Sequence, residues 1–169
     1  MHYRVSGHFA DPNWIINEKR GFMSDPSLRP SRFRLRKKVE RAERGIRRSG
    51  GSVTAGKVIA EQSFGFWTSL FEVHHYRLIG GVVINAFPNK PAHINRAAIA
   101  NKLNDIRRFR NRIYHNEPIC FDNSNIDFSQ VNKVRDDIYE LLLWIDTELT
   151  DYVSYFDSIP SKVNSASYL

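Results

Sequence analysis

The sequence predicts an all-α protein, a single domain built as a bundle of about four main helices. Three observations predict it. Apolar residues recur three and four positions apart over four long stretches, no strand-like alternation of any length appears, and glycine pairs and prolines fall between the stretches, where helices stop. At 169 residues, 41% hydrophobic and 25% charged, the chain is long enough to bury a core in one domain without staples.

Residues 1–28 contain Gly7, Pro12, Gly21 and Pro26 with little periodicity and read as an irregular arm, with His8, Phe9 and Trp14 as its anchors. The helical domain follows over 29–157. Ser31 is the expected N-cap of its first helix, 31–48, in which Leu35, Val39, Ala42 and Ile46 form an apolar face and Ser49-Gly50-Gly51 the stop. A second helix opens at Thr54 and carries Val58, Ile59, Phe66, Trp67, Leu70, Phe71 and Val73 to Gly80-Gly81. Gly65 inside it costs about 1 kcal/mol relative to alanine and marks a close crossing or a kink. Residues 82–92, with Pro88 and Pro91, form a connecting loop.

The third helix starts near Asn95. Ile99, Leu103, Ile106, Arg110 and Ile113 follow at helical spacing, which puts Arg110 on the apolar stripe, where a charge requires an anion, a ligand or another chain. Pro118 ends this helix and leaves His115 in or beyond its last turn, where open carbonyls favour a cation. A fourth helix begins near Ser129 and runs through Val131, Val134, Ile138, Leu142, Ile145, Leu149, Val153 and Phe156, with Asp136 and Asp137 on its solvated face. Residues 158–169 read as a flexible tail.

Composition narrows the function classes. Cys120 is the only cysteine, so no intrachain disulfide forms, and no apolar run approaches the roughly 18 to 20 residues of a membrane span. Residues 1–20 lack the apolar core of a signal peptide, which points to the cytoplasm. Adjacent His74 and His75 point apart on a helix, and His93 and Cys120 show no ligand spacing with them, so neither a metal nor another cofactor is expected. Phosphate-binding glycine loops are absent too. The net charge of +7 is concentrated: ten basic residues between Arg29 and Arg48 face only Glu40 and Glu43, a local net of +8, so the rest sums to −1. Such a field attracts a polyanion, with Arg34, Arg36, Lys37, Lys38 and Arg41 as candidate contacts to it; the alternative is a solvated helix face. Leu35, Val39 and Ile46 make too narrow an apolar face for membrane-surface binding.

The stretch richest in chemistry is Arg110-Asn111-Arg112-Ile113-Tyr114-His115-Asn116-Glu117-Pro118-Ile119. Arginine presents a fixed fork of donors to phosphate oxygens, and histidine both accepts and donates protons near neutrality. Arg110-Asn111, three residues and His115 match the RNxxxH form of the Arg-x(4 to 6)-His signature of the HEPN superfamily, and Glu61–Phe71 and Leu103–Ile119 resemble its bacterial Abi-like (abortive infection) branch. The resemblance covers roughly residues 30–155. It implies an all-α bundle, homodimers that bring two motifs together, and in many members metal-independent RNA cleavage; other members are binding or regulatory modules. Abi-like proteins usually carry further helical sequence ahead of Phe9 and Trp14, so the chain reads as a short member, a fragment, or a fold that borrows a helix from a second chain.

The expectation is a metal-independent endoribonuclease, a toxin or phage-defence effector, with RNA, a second copy of the chain and a cognate antitoxin as partners. His115 is its acid or base, Arg110 the group on the phosphate, and Asn111 either orients His115 or donates to phosphate. Arg107 and Arg112 are candidates for the neighbouring phosphates, and Tyr114 for stacking on a base. Two readings compete with it. One is a non-catalytic RNA-binding or protein-interaction module. The other is purely structural: Arg110 paired with Asp105 or Glu117, and His115 bonded to a terminal carbonyl of its helix.

Overall fold

A computed structural model of the chain describes residues 1–122 and 125–166. The fold class is all-α. The chain divides into two compact units, Met1–Ala86 and the residues from Phe87 onward.

In the first unit the arm expected at 1–28 is largely helical and buries Val5, Trp14, Ile15, Phe22, Met23 and Leu28. Helix α1 (His2–Phe9) ends on Ala10 in the left-handed region, α2 (Trp14–Asn17) is a single turn, and 3-10 segments follow at Phe22–Ser24 and Pro26–Ser31. Trp14 is fully buried and its indole N–H donates to His2 Nδ1 at 2.9 Å, while Phe9 stacks on Phe22 with ring centroids 5.5 Å apart. These elements are too short to show a period; long-range packing of aromatic rings holds them.

Helix α3 (Arg34–Arg48) buries Leu35, Val39, Ala42 and Ile46 as expected. Its N-terminus differs. Ser31 lies in the 3-10 segment and bonds Leu28, and the N-cap is Phe33, which with Arg32 adopts positive φ, 54° and 53°. No side chain caps this end, and the Arg36 guanidinium lies 5.0 Å from the Phe33 ring in a cation–π contact.

The second expected helix is three short ones, α4 (Ala55–Ala60), α5 (Phe64–Ser69) and α6 (Val73–Leu78), followed by a 3-10 segment, Val82–Ala86, within the expected loop. The breaks fall beside Ser63 and Glu72, whose backbones are extended, and not at Gly65. They let Phe66, Leu70, Phe71, Val58 and Ile79 all reach the core. Gly50-Gly51 and Gly80-Gly81 stop α3 and α6 as expected. In each pair the first glycine has positive φ, and the two amides return to carbonyls of the last turn: Gly50 to Arg47, Gly51 to Ile46, Gly80 to Arg77 and Gly81 to Tyr76.

In the second unit α7 (Arg96–Tyr114) starts on the Asn95 cap, whose side chain accepts from the Ala98 amide at 3.1 Å. A two-residue antiparallel ladder, β1 (Phe121–Asp122) with β2 (Asn125–Ile126), leads to α8 (Ser129–Ile145). Lys102 pairs with Asp137 and Glu140, and Lys133 with Asp105 and Asp137, so α7 and α8 run antiparallel. Phe109, Val131 and Val134 pack beneath these pairs with Ile106, Phe128 and Ile138 around them.

Asp136 is exposed, but Asp137, expected on the solvated face, is 5% exposed. Burial pushes its carboxyl up, yet hydrogen bonds from Lys102 and Lys133 outweigh that and hold it below the usual carboxylate range. The fourth helix breaks at Asp146, whose carboxylate caps the Glu148 amide at 3.0 Å and starts α9 (Glu148–Ser154). The expected tail contains α10 (Ile159–Ala166), tied down by Asp157, which accepts from Arg135, from the Tyr139 hydroxyl and from the Ile159 amide. Residues 167–169 lie outside the described residues.

His75, 1% exposed, gives the first unit an acid-labile point. Burial lowers its pKa, against the opposing pull of Glu72 and the Ser69 carbonyl; Arg34 and His74 lower it further. A histidine whose pKa is depressed by folding stabilises fully above its unfolded pKa, and that contribution is lost as the pH falls, because the unfolded chain takes up the proton first. Thermal melts are therefore expected to shift to lower temperature between about pH 7.5 and about pH 5.5, on either side of the unfolded value near 6.5. In His75→Asn the shift should be smaller, whatever that variant's absolute stability. The Asp137 contribution is present above about pH 4 and is lost only below it.

Candidate functional site

Helix α7 places Arg110 just before its last turn, Asn111 at the start of that turn and His115 at its C-cap. Ile99, Leu103, Ile106, Arg110 and Ile113 do form one line, but the line is buried only at its start: Ile99 and Leu103 are covered, whereas Arg110 is exposed and Ile113 is 51% exposed. The α8-facing side of α7 is a neighbouring one, carrying Lys102, Asp105, Phe109 and Arg112. Arg110 therefore sits where an apolar stripe emerges uncovered, and not inside a packed interior as the spacing suggests.

The end of α7 is fixed by the same double closure as α3 and α6, with an asparagine in the glycine position. Asn116 has φ 54°, its amide returns to Ile113 at 3.0 Å and that of Glu117 to Arg112 at 2.9 Å. The backbone thus meets the terminal carbonyls, and Pro118 follows the closure. His115 is left at the C-cap with an exposed side chain, its ring edge-on to Tyr114 at a centroid distance of 5.6 Å.

The partners of the structural alternative are engaged elsewhere. Asp105 bonds Lys133 at 2.9 Å, and Glu117 lies 3.5 Å from Arg112. Among the described residues, the side chains of Arg110, Asn111 and His115 make no hydrogen bond or ion pair. All three are exposed, as is Tyr114 at 75%.

Two predicted phosphate contacts have internal work. Arg112 bonds the Pro118 carbonyl and Gln130, clamping the loop after α7 onto α8. Arg107 is half-buried and donates to Asn104 at 3.2 Å, its Nε buried without a partner. In the basic helix, Arg34 pairs with Glu72 at 3.3 Å, and Arg36 lies against Phe33, Ser24 and Glu40. Lys37 and Arg41 are exposed. Lys38 and Arg41 line a cleft of about 580 Å³ together with Arg44 and Arg48, which nothing in the sequence sets apart from the other basic residues of 29–48.

Among the described residues, no three His, Cys, Asp or Glu side chains converge as a metal would require, and no helix is long and apolar enough to cross a membrane. His75 Nδ1 is bonded to the Ser69 carbonyl at 2.9 Å. No protein-family model, curated protein sequence or solved structure matches the chain.

Proposed function

We propose that the chain is a HEPN-type, Abi-like protein that cleaves RNA without a metal as a toxin or phage-defence effector, at a site completed by a second copy of itself. One observation carries this reading: Arg110, Asn111 and His115 are displayed together, exposed and unpartnered, where the apolar line of α7 opens at Ile113. A surface that holds an arginine, an amide and a histidine free of internal partners is equipped for a phosphodiester, and its uncovered apolar members suit a second chain.

In the reaction the ribose 2′-oxygen forms a bond to phosphorus as the bond to the 5′-oxygen breaks. One His115 takes the 2′-hydroxyl proton, and the second His115, as imidazolium, protonates the departing 5′-oxygen. Arg110 neutralises the charge that grows on the non-bridging oxygens, and Asn111 donates to the same phosphate or holds the ring of His115. The products are a 2′,3′-cyclic phosphate and a 5′-hydroxyl. Incubation with RNA in EDTA, followed by end-group analysis, tests the assignment: those ends are expected, whereas intact RNA or 3′-hydroxyl products would sink it.

The second reading, an RNA-binding module without cleavage, is favoured by the basic cleft of the first unit. It predicts salt-dependent affinity and no products.

A further inference from the structure

The cleft lined by Lys38, Arg41, Arg44 and Arg48 has two walls. These residues form one wall, along one side of α3, and the Glu61–Ser63 linker between α4 and α5 forms the other. Gln62 is held in that wall by a 3.0 Å bond from its side-chain amide to the Val58 carbonyl.

The distribution of charge around α3 singles out this side. Both acids of the basic segment lie on the other side, Glu40 against Arg36 at 3.3 Å and buried Glu43 against Lys19. Arg34 is paired with Glu72. Arg41, Arg44 and Arg48, by contrast, make no ion pair or side-chain hydrogen bond among the described residues, and Glu61 is the only acid of the cleft. Three unpaired arginines against one carboxylate leave this concave surface positive. Favourable placement near the α3 C-terminus accounts for Arg48 but not for Arg44, since the helix dipole acts only within the last turn. It does not account for Lys38 and Arg41.

Shape and composition narrow the ligand. From Lys38 to Arg48 is ten residues, about 15 Å along a helix, which suits a row of phosphates better than a single one. No aromatic ring lines the cleft, so it has no platform for a base and no pocket for a nucleoside.

We infer that this cleft binds a run of backbone phosphates of single-stranded RNA without reading its sequence. The choice of RNA rests on the proposed function; the phosphate row rests on the cleft alone.

Fluorescence anisotropy with labelled oligo(U) and oligo(A), across a salt series, tests this in the His115→Ala background, so that affinity is read separately from cleavage. Each single-strand phosphate contact contributes about 0.7 to the slope of log affinity against log salt, so joint replacement of Arg41, Arg44 and Arg48 by alanine should lower the slope by about 2. Arg44→Ala alone should lower it by about 0.7, which serves if the triple variant fails to fold. The two oligonucleotides should bind within a few-fold of one another. An unchanged slope in a folded variant, or a loss as large from Arg34→Ala with Arg36→Ala, would overturn the inference. So would a polyglutamate peptide that binds as tightly as RNA, which would assign the cleft to an acidic protein partner. Failure of this test leaves the cleavage assay standing, and loss of cleavage with the slope intact leaves the cleft standing.

Discussion

Replacing His115 with alanine is expected to lower RNA cleavage in EDTA by more than about 10⁴-fold, because the change in both copies removes the general acid and the general base together and each supplies about 10²- to 10⁴-fold. The helical circular dichroism and the melting temperature should not change. Both halves of the expectation come from one geometry. The His115 side chain is exposed and bonds nothing, while the turn that carries it is closed by the Asn116 and Glu117 amides, so the imidazole is dispensable for folding. Arg110→Ala should behave alike, with a loss of about 10²- to 10³-fold as for the removal of one transition-state donor. Arg112→Ala is the informative contrast, since it releases the Pro118 carbonyl and Gln130 and should lower the melting temperature. Wild-type levels of cleavage in folded His115→Ala would remove the catalytic assignment.

Trp14→Ala is expected to destabilise the first unit by about 3 to 5 kcal/mol, the range for deleting a buried large aromatic side chain. Trp14 is fully buried, bonded to His2 and 6.3 Å from the Phe22 ring by centroid distance. The loss is large against the roughly 5 to 15 kcal/mol that typically holds a domain together. Chemical denaturation followed by helical circular dichroism reads it directly. A cost below about 1 kcal/mol, as for surface positions, would return residues 1–28 to the status of a loose arm.

Trp14 also illustrates what a single sequence conveys and what it does not. The apolar face of α3 and the starts of those of α7 and α8, Ile99 with Leu103 and Val131 with Val134, were legible because their spacing is sustained, whereas the second half of α8 buries Leu141 and Trp144 and leaves the expected Ile145 exposed; the glycine pairs were legible because positive φ leaves few other choices. The segment around Trp14 repeats nothing, and only contacts with His2 and Phe22 show that it is core. Asp137 reads as solvated beside Asp136 until Lys102, 35 residues earlier, is seen to bond it.

The candidate site divides in the same way. Chemical identity and position near a helix end were readable for Arg110, Asn111 and His115. That Arg110 is exposed was not, since helical spacing cannot say where along a stripe the cover ends. Summing charge over 29–48 finds the basic segment but does not separate Arg34, engaged by Glu72, from Arg44 and Arg48 in the cleft, because the opposing wall comes from 61–63.

Subunit mixing tests most directly whether two copies of the chain share one cleavage site. Wild-type and His115→Ala chains, co-expressed with different tags at graded ratios and purified together, are assayed on RNA in EDTA. A site that needs a histidine from each copy predicts that activity falls with the square of the wild-type fraction, because only wild-type pairs cleave. Activity that falls in direct proportion to that fraction would contradict it and place the whole site within one chain.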